Sequence, residues 1–207
     1  DLLGPWIREL RYFWFRETSL GDIPLVVCRS GWSKQGGFEL FLQDGSRGDE
    51  LYERVKSAGS PYGIGPGAPN HVERVESGLL SWGGDTTPDS NPYEAGMSAF
   101  VDVELSPDYI GKQALRQVVA MGPRRLLTGL MMEGEAPSEW PLVQRVPVTA
   151  AGEVVGTMSA VVHSHRLART IAIAQVRRDI VEAGGAVEVA SPDGARRARI
   201  HPLPFIS

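Results

Sequence analysis

Apolar and polar residues follow two different periods along this chain, and the period changes near Pro123. Ile23 to Cys28 is a β-rich apolar run interrupted by Pro24, and Leu40-Phe41-Leu42 is another that ends at Asp44-Gly45. The stretch between them therefore predicts a turn joining two strands. Asp49 to Ala58 sets Leu51, Tyr52 and Val55 at helical spacing, with an acidic start and Gly59 at the end, the asymmetry of a short helix. A second helix follows Pro69, where Val72, Val75, Glu76 and Leu79 share a face that Gly78 closes. Val101 and Val103 alternate with Asp102 and Glu104, which predicts a half-exposed strand over 100–105. Ile110, Ala114, Leu115 and Val118 make a third helix, stopped at Gly122-Pro123.

Beyond Pro123 the runs become short and alternating: 126–132, 144–148, 154–162, 170–176, 186–189 and 195–201, with Gly, Pro, Asp and Ser between them. Strands at such intervals without a long helix predict a small sandwich or barrel. The expectation is an α+β protein, with an α+β domain over residues 1–120 and a compact β domain over 121–207.

Composition narrows the function classes. The 207 residues carry a net charge of −4, with residues 1–120 at −6 and 121–207 at +2. This is not the basic footprint of a phosphate-backbone binder, so no nucleic acid partner is expected. No apolar stretch approaches the roughly 20 residues of a membrane span, so no membrane partner is expected either. Without a secretory signal in the sequence, a cytoplasmic location is the default expectation. The single cysteine, Cys28, lies in an apolar run and reads as a buried, inert thiol. His71, His163, His165 and His201 make no metal-ligand spacing with it, so no metal site is expected.

The chemistry concentrates in Arg29-Ser30-Gly31-Trp32-Ser33-Lys34-Gln35-Gly36-Gly37-Phe38-Glu39. An aromatic, two cations and a carboxylate surround a glycine turn, where Gly36-Gly37 lets a planar ligand approach the backbone. That set suits a small charged ligand; the structural alternative is a hairpin whose Trp covers the core. Upstream, Trp6, Tyr12 and Trp14 add aromatic faces, while Trp14 and Phe15 read as core because an apolar stripe of this density usually packs.

The turn Gly31-Trp32-Ser33-Lys34-Gln35-Gly36-Gly37-Phe38-Glu39 resembles the glycine-turn motif of the glycine cleavage T-protein superfamily. Its Trp-Ser-Lys-Gln-Gly-Gly form is similar to the tetrahydrofolate-dependent dimethylsulfoniopropionate demethylases within it. Pro69-Asn70-His71-Val72-Glu73-Arg74-Val75-Glu76-Ser77-Gly78-Leu79-Leu80-Ser81-Trp82-Gly83 resembles a segment of the same demethylases. Asn91 to Gly96 and Asp108 to Leu115 extend the likeness over nearly the whole chain. The resemblance implies a partial T-protein-like folate-binding α+β domain followed by a small antiparallel β-barrel domain. It also implies the C-terminal part of a larger enzyme, with an Asp that serves aminomethyl transfer lying outside this sequence.

For the site, the resemblance implies tetrahydrofolate as cofactor and Glu39 as its carboxylate ligand. A pterin offers two parallel donors, N3–H and the 2-amino group, to one ionised carboxylate, and such a charge-assisted pair orients as well as binds. Trp32, Lys34, Arg29 and Asn70 complete the implied cofactor set, and Trp6 with Trp32 the substrate set, since a sulfonium is attracted to aromatic faces. Arg29 and Lys34 are candidates for a propionate or for the folate tail. T-proteins tend to carry Arg where Asn70 stands, which favours the demethylase branch. Arg74 and Glu76 divide evenly between a structural ion pair or surface charges and a site role.

The reaction implied is methyl transfer from a small-molecule sulfonium donor such as dimethylsulfoniopropionate to N5 of tetrahydrofolate. The alternatives are a T-protein-like aminomethyltransferase acting with a lipoyl carrier protein, and a non-catalytic folate-binding or assembly module. An incomplete domain exposes apolar surface, so a homo-oligomer or a complementary N-terminal chain is the expected partner.

Overall fold

The computed structural model describes residues 2–30, 36–68, 70–134 and 145–206. It divides into two compact units, Asp1–Asn70 and His71–Ser207.

In the first unit, Phe15–Leu20 (β1), Ile23–Cys28 (β2) and Glu39–Leu42 (β3) form an antiparallel sheet in that order. Leu20 pairs with Ile23 across a two-residue turn that opens on Gly21, whose φ of +63° a glycine adopts without strain. Strand alternation then sorts the faces. Ile23, Leu25 and Val27 are fully buried and pack with Leu10, Leu20, Leu40, Leu42 and, from the helix Gly48–Gly59 (α1), Leu51 and Val55. Arg47 and Arg54 tie α1 to the hairpin turn, each pairing with Asp22 and Glu50.

The second unit begins with His71–Glu76 (α2), followed by a long irregular stretch and Lys112–Met121 (α3). Then come Arg125–Met132 (β4), Val146–Ala150 (β5), Glu153–Ser164 (β6), Arg169–Arg177 (β7), Arg178–Ala183 (α4), Ala186–Ser191 (β8) and Gly194–His201 (β9). The strands close into a barrel in the order β4-β7-β6-β5-β8-β9. Strand β7 is buried on both faces. Ala172, Ala174 and Val176 join Leu130, Met158 and Val189 in one cluster, while Ile171 and Ile173 pack with Val75 of α2, Leu203 and Phe205 in another. The barrel approaches closest at Gly156, where a Cβ would meet backbone atoms of Gln175 and Val176.

The six expected β runs of the second half all become barrel strands, and the three expected helices form. Gln144 lies outside the described residues. Strand β1 and helix α4 were not expected from the periodicity.

Three expectations are corrected. Residues 101–105 are not a strand. Their polar groups are taken by side chains, which removes the need for a ladder. Asp102 accepts from the Glu104 N–H at 2.8 Å, the Val103 carbonyl accepts from Arg116 at 3.1 Å, and the Leu105 and Pro107 carbonyls accept from the buried Lys112 ammonium. Trp14 and Phe15 are not core but 55% and 65% exposed: Phe15 lies on the sheet face opposite the core, and the Trp14 ring takes the Arg11 guanidinium at 4.9 Å. Cys28 is half-buried, since it falls on that same uncovered face.

Candidate functional site

Alternation puts Phe15, Cys28 and Glu39 in one row across β1, β2 and β3, on the face opposite the core. Glu17, Val26 and Phe41 form the next row on that face, with Phe41 52% exposed. Adjacent strands lie about 4.8 Å apart, so Phe15 and Glu39 stand about 10 Å from each other with Cys28 between them. The result is a shelf with an aromatic ring at one end, a carboxylate at the other and a low apolar floor. A flat bicyclic ring matches that span.

The carboxylate is held in place. Ser30 donates its hydroxyl to Glu39 Oε2, across the turn that joins β2 to β3. Each end of a carboxylate accepts more than one hydrogen bond, so Ser30 restricts the rotamer without consuming the acceptor. At Gly37 an added Cβ would stand 3.2 Å from the Ser30 carbonyl, so these two described residues approach closely. Gly36 has open space around it.

Arg29 is partly committed. Its Nη1 donates to the Leu10 carbonyl at 2.7 Å, its guanidinium lies 5.9 Å from the Phe38 ring, and its backbone pairs with Phe13 and Trp14. Arg29 therefore staples the Leu10–Trp14 segment to the start of the turn, and its remaining N–H groups are what it can offer an anion.

The other sequence candidates are placed differently. Trp6 is half-buried against the core of the first unit, and its ring takes the Arg16 guanidinium at 4.7 Å. Arg16 pairs with the buried Val27, so Trp6 belongs to the face opposite Glu39. Asn70 is exposed immediately ahead of α2. Trp32 and Lys34 lie outside the described residues. Sequence reasoning missed Phe15 and Ser30 as candidates; the run Phe15-Arg16-Glu17-Thr18-Ser19-Leu20 carries no apolar alternation, and its register and face come from its pairing with β2.

Arg74 and Glu76 resolve as structural. Arg74 is buried against Asp85 at 2.6 Å, and Asp85 also accepts from the Ser81 N–H at 2.7 Å and Ser159 at 2.5 Å. Glu76, 2% exposed, accepts from Ser164 at 2.6 Å. His71 contacts the Arg74 Nε through Nδ1 at 3.4 Å, and burial first, then the Arg74 charge, hold its pKa below the ordinary histidine value. His163 and His165 stack edge to face at 5.2 Å, with His165 exposed. Among the described residues there is no group of His, Cys, Asp or Glu that could hold a metal ion, and no helix long and apolar enough to cross a membrane.

Comparison with known proteins agrees with this architecture. Residues 6–105 match the model of the GCVT N-terminal domain and residues 125–206 that of the glycine cleavage T-protein C-terminal barrel domain. The chain is 39% identical over 196 residues to the dimethylsulfoniopropionate demethylase of Ruegeria pomeroyi, covering 94% of this chain and 52% of that protein. It is 31% identical over 208 residues to an aminomethyltransferase of Parasynechococcus marenigrum, covering 99% and 54% respectively. The solved structure of the glycine cleavage system aminomethyltransferase T from Bartonella henselae matches with a TM-score of 0.75 at 20% identity, over 96% of this chain and 54% of that one. That likeness speaks to the fold. The chain spans about half the length of the curated relatives it matches.

Proposed function

Because this chain belongs to the glycine cleavage T-protein family, we propose that it carries the pterin-binding shelf of a tetrahydrofolate-dependent one-carbon transferase, with a sulfonium compound of the dimethylsulfoniopropionate type as methyl donor. The observation that carries the reading is Glu39, exposed on an uncovered sheet face, steadied by Ser30 and set in a row with Cys28 and Phe15. The identity to a protein named for dimethylsulfoniopropionate demethylation supports the choice of donor. The exposed, uncharged Asn70 supports it over a branch that carries Arg there.

In this reading the Glu39 carboxylate would hold the pterin through its N3–H and 2-amino donors, with Cys28 and Phe15 on the same sheet face. Arg29 and Lys34 offer positive charge to the carboxylates of donor or folate tail, and Trp32 offers an aromatic face to the sulfonium, a role that Trp6, on the opposite sheet face, does not share. Bound tetrahydrofolate would supply the nucleophilic N5 that takes the methyl group as sulfur leaves as a neutral thioether, and Glu39, Arg29 and Lys34 would hold and orient the two reactants. The leaving group needs no protonation. Alignment of donor and acceptor and exclusion of water then account for most of the rate, which suits residues that bind and orient.

The test is a calorimetric titration of tetrahydrofolate into this chain and into Glu39→Ala, followed by a methyl-transfer assay with dimethylsulfoniopropionate on the form that binds. Losing charge-assisted hydrogen bonds worth roughly 1.5–3 kcal/mol predicts at least about tenfold weaker binding in the variant. Absence of binding to the native chain would overturn the folate reading, and equal binding by both would remove Glu39 from it. Turnover of glycine-derived aminomethyl groups in place of the sulfonium would move the assignment to the aminomethyltransferase branch.

A further inference from the structure

Phe13 has a φ of +64°, in the left-handed region that a bulky L-residue adopts only at a cost. The hydrogen bonds around it explain how it is held there. The Trp14 N–H donates to the Arg11 carbonyl at 3.0 Å, closing a turn with Tyr12 and Phe13 at its centre. The Phe13 N–H then donates to the Arg29 carbonyl at 2.8 Å, and the Arg29 N–H donates to the Trp14 carbonyl at 2.9 Å. Two residues, Phe13 and Trp14, thus oppose the single residue Arg29. This is a β-bulge at the start of β1, of the kind whose first position normally belongs to glycine in the left-handed conformation.

Packing does not compensate for the strain, because Phe13 is 82% exposed. Its main described neighbour is the Tyr12 ring, edge to face with centroids 4.5 Å apart. A glycine would relieve the backbone and lose little burial. The bulge also sits at a particular place, one residue along the ladder from the Phe15–Cys28–Glu39 row and directly against the backbone of Arg29. Bulges of this sort re-aim a side chain, and backbone strain retained without a packing return is a pointer to a ligand contact.

We propose that Phe13 is a ligand-contact residue of the Glu39 site, its ring presented by the strained bulge to stack on a planar ring of the bound folate. This rests on the folate reading above and extends it to a residue whose sequence context shows only an aromatic stripe. Tyr12 braces the ring from its edge, and the Arg29 staple fixes the bulge relative to the turn that carries Ser30.

Phe13→Gly and Phe13→Ala separate the ring from the backbone, since both delete the ring and only glycine tolerates the left-handed φ freely. In the full chain, both variants are expected to bind tetrahydrofolate about five- to tenfold more weakly than the native protein, the size of one aromatic stacking contact. Phe13→Gly is expected to melt about 2–6 °C above Phe13→Ala and no lower than the native protein. Native affinity in both variants, with the native chain binding, would overturn the contact and leave the folate reading standing. Weak binding together with a Phe13→Gly melting point well below native would show a structural ring and also overturn it. A native chain that does not bind tetrahydrofolate would overturn the folate reading itself, and this contact with it.

Discussion

Asp85→Ala removes the acceptor at the centre of the polar knot that ties the loop after α2 to the barrel. The Asp85 carboxylate is fully shielded from solvent and accepts from Arg74, Ser81 N–H and Ser159 at 2.6, 2.7 and 2.5 Å. Its loss leaves the Arg74 guanidinium, whose side chain is 9% exposed, without a counter-charge. Removing one partner of a buried pair costs roughly 3–5 kcal/mol, because the other charge stays desolvated. Arg74 keeps the Leu79 carbonyl at 2.8 Å and Ser159 keeps the Ile173 carbonyl at 3.2 Å, which places the expected loss near the lower end, about 3 kcal/mol. For a cooperative unit of this size that corresponds to a fall of about 10 °C in melting temperature. Urea denaturation of the native protein, Asp85→Ala, Arg74→Met and the double variant gives the coupling directly. The double variant is expected to recover part of the loss, since it no longer buries an unpaired charge. A single-variant cost below about 1 kcal/mol, or strictly additive losses, would refute the argument.

Histidine 71 makes stability depend on pH in a defined direction. Burial and Arg74 lower its folded pKa, so the unfolded chain binds the proton more readily. Its contribution is complete above the unfolded value near 6.5 and is lost as pH falls from there through the folded pKa. Denaturation midpoints between pH 8 and pH 5 should therefore fall more steeply in the native protein than in His71→Asn, and parallel profiles would contradict this. Gly156→Ala tests the barrel's closest approach. The new Cβ would stand 2.8 Å from Val176 Cα and closer still to the Gln175 carbonyl, both backbone atoms of a paired strand. Overpacking of that kind should cost about 2–3 kcal/mol by chemical denaturation, and native stability would show that the β6–β7 pairing is looser than described.

Much of the fold was legible because local patterns and tertiary structure agree. Leu51 and Val55 are spaced for a helix face and do pack in the core, and the alternating runs after Pro123 each find partners in the barrel. The carboxylate Glu39 was legible for a different reason: its motif combines a glycine turn with charged and aromatic residues, and the turn does join two paired strands. Phe15 carried no such signal: residues 15–20 do not alternate apolar and polar, and the pairing with β2 alone sets their register and faces. Which face is covered depends on where Leu10 and α1 pack, and these are contacts of long sequence separation.

The sequence by itself determined the periodicities, the positions of the turns, the family resemblance and the carboxylate that heads the candidate site. Only the tertiary structure decided that Phe15 faces away from the core on the same side as Glu39, that Ser30 steadies that carboxylate, and that Arg74 and Asp85 form a buried pair. It also decided that residues 101–105, though patterned as a strand, are held by the side chains of Lys112 and Arg116. The physical reason is common to all of these: periodicity is a property of neighbours along the chain, whereas burial, pairing and backbone strain arise from groups that meet only when distant segments pack.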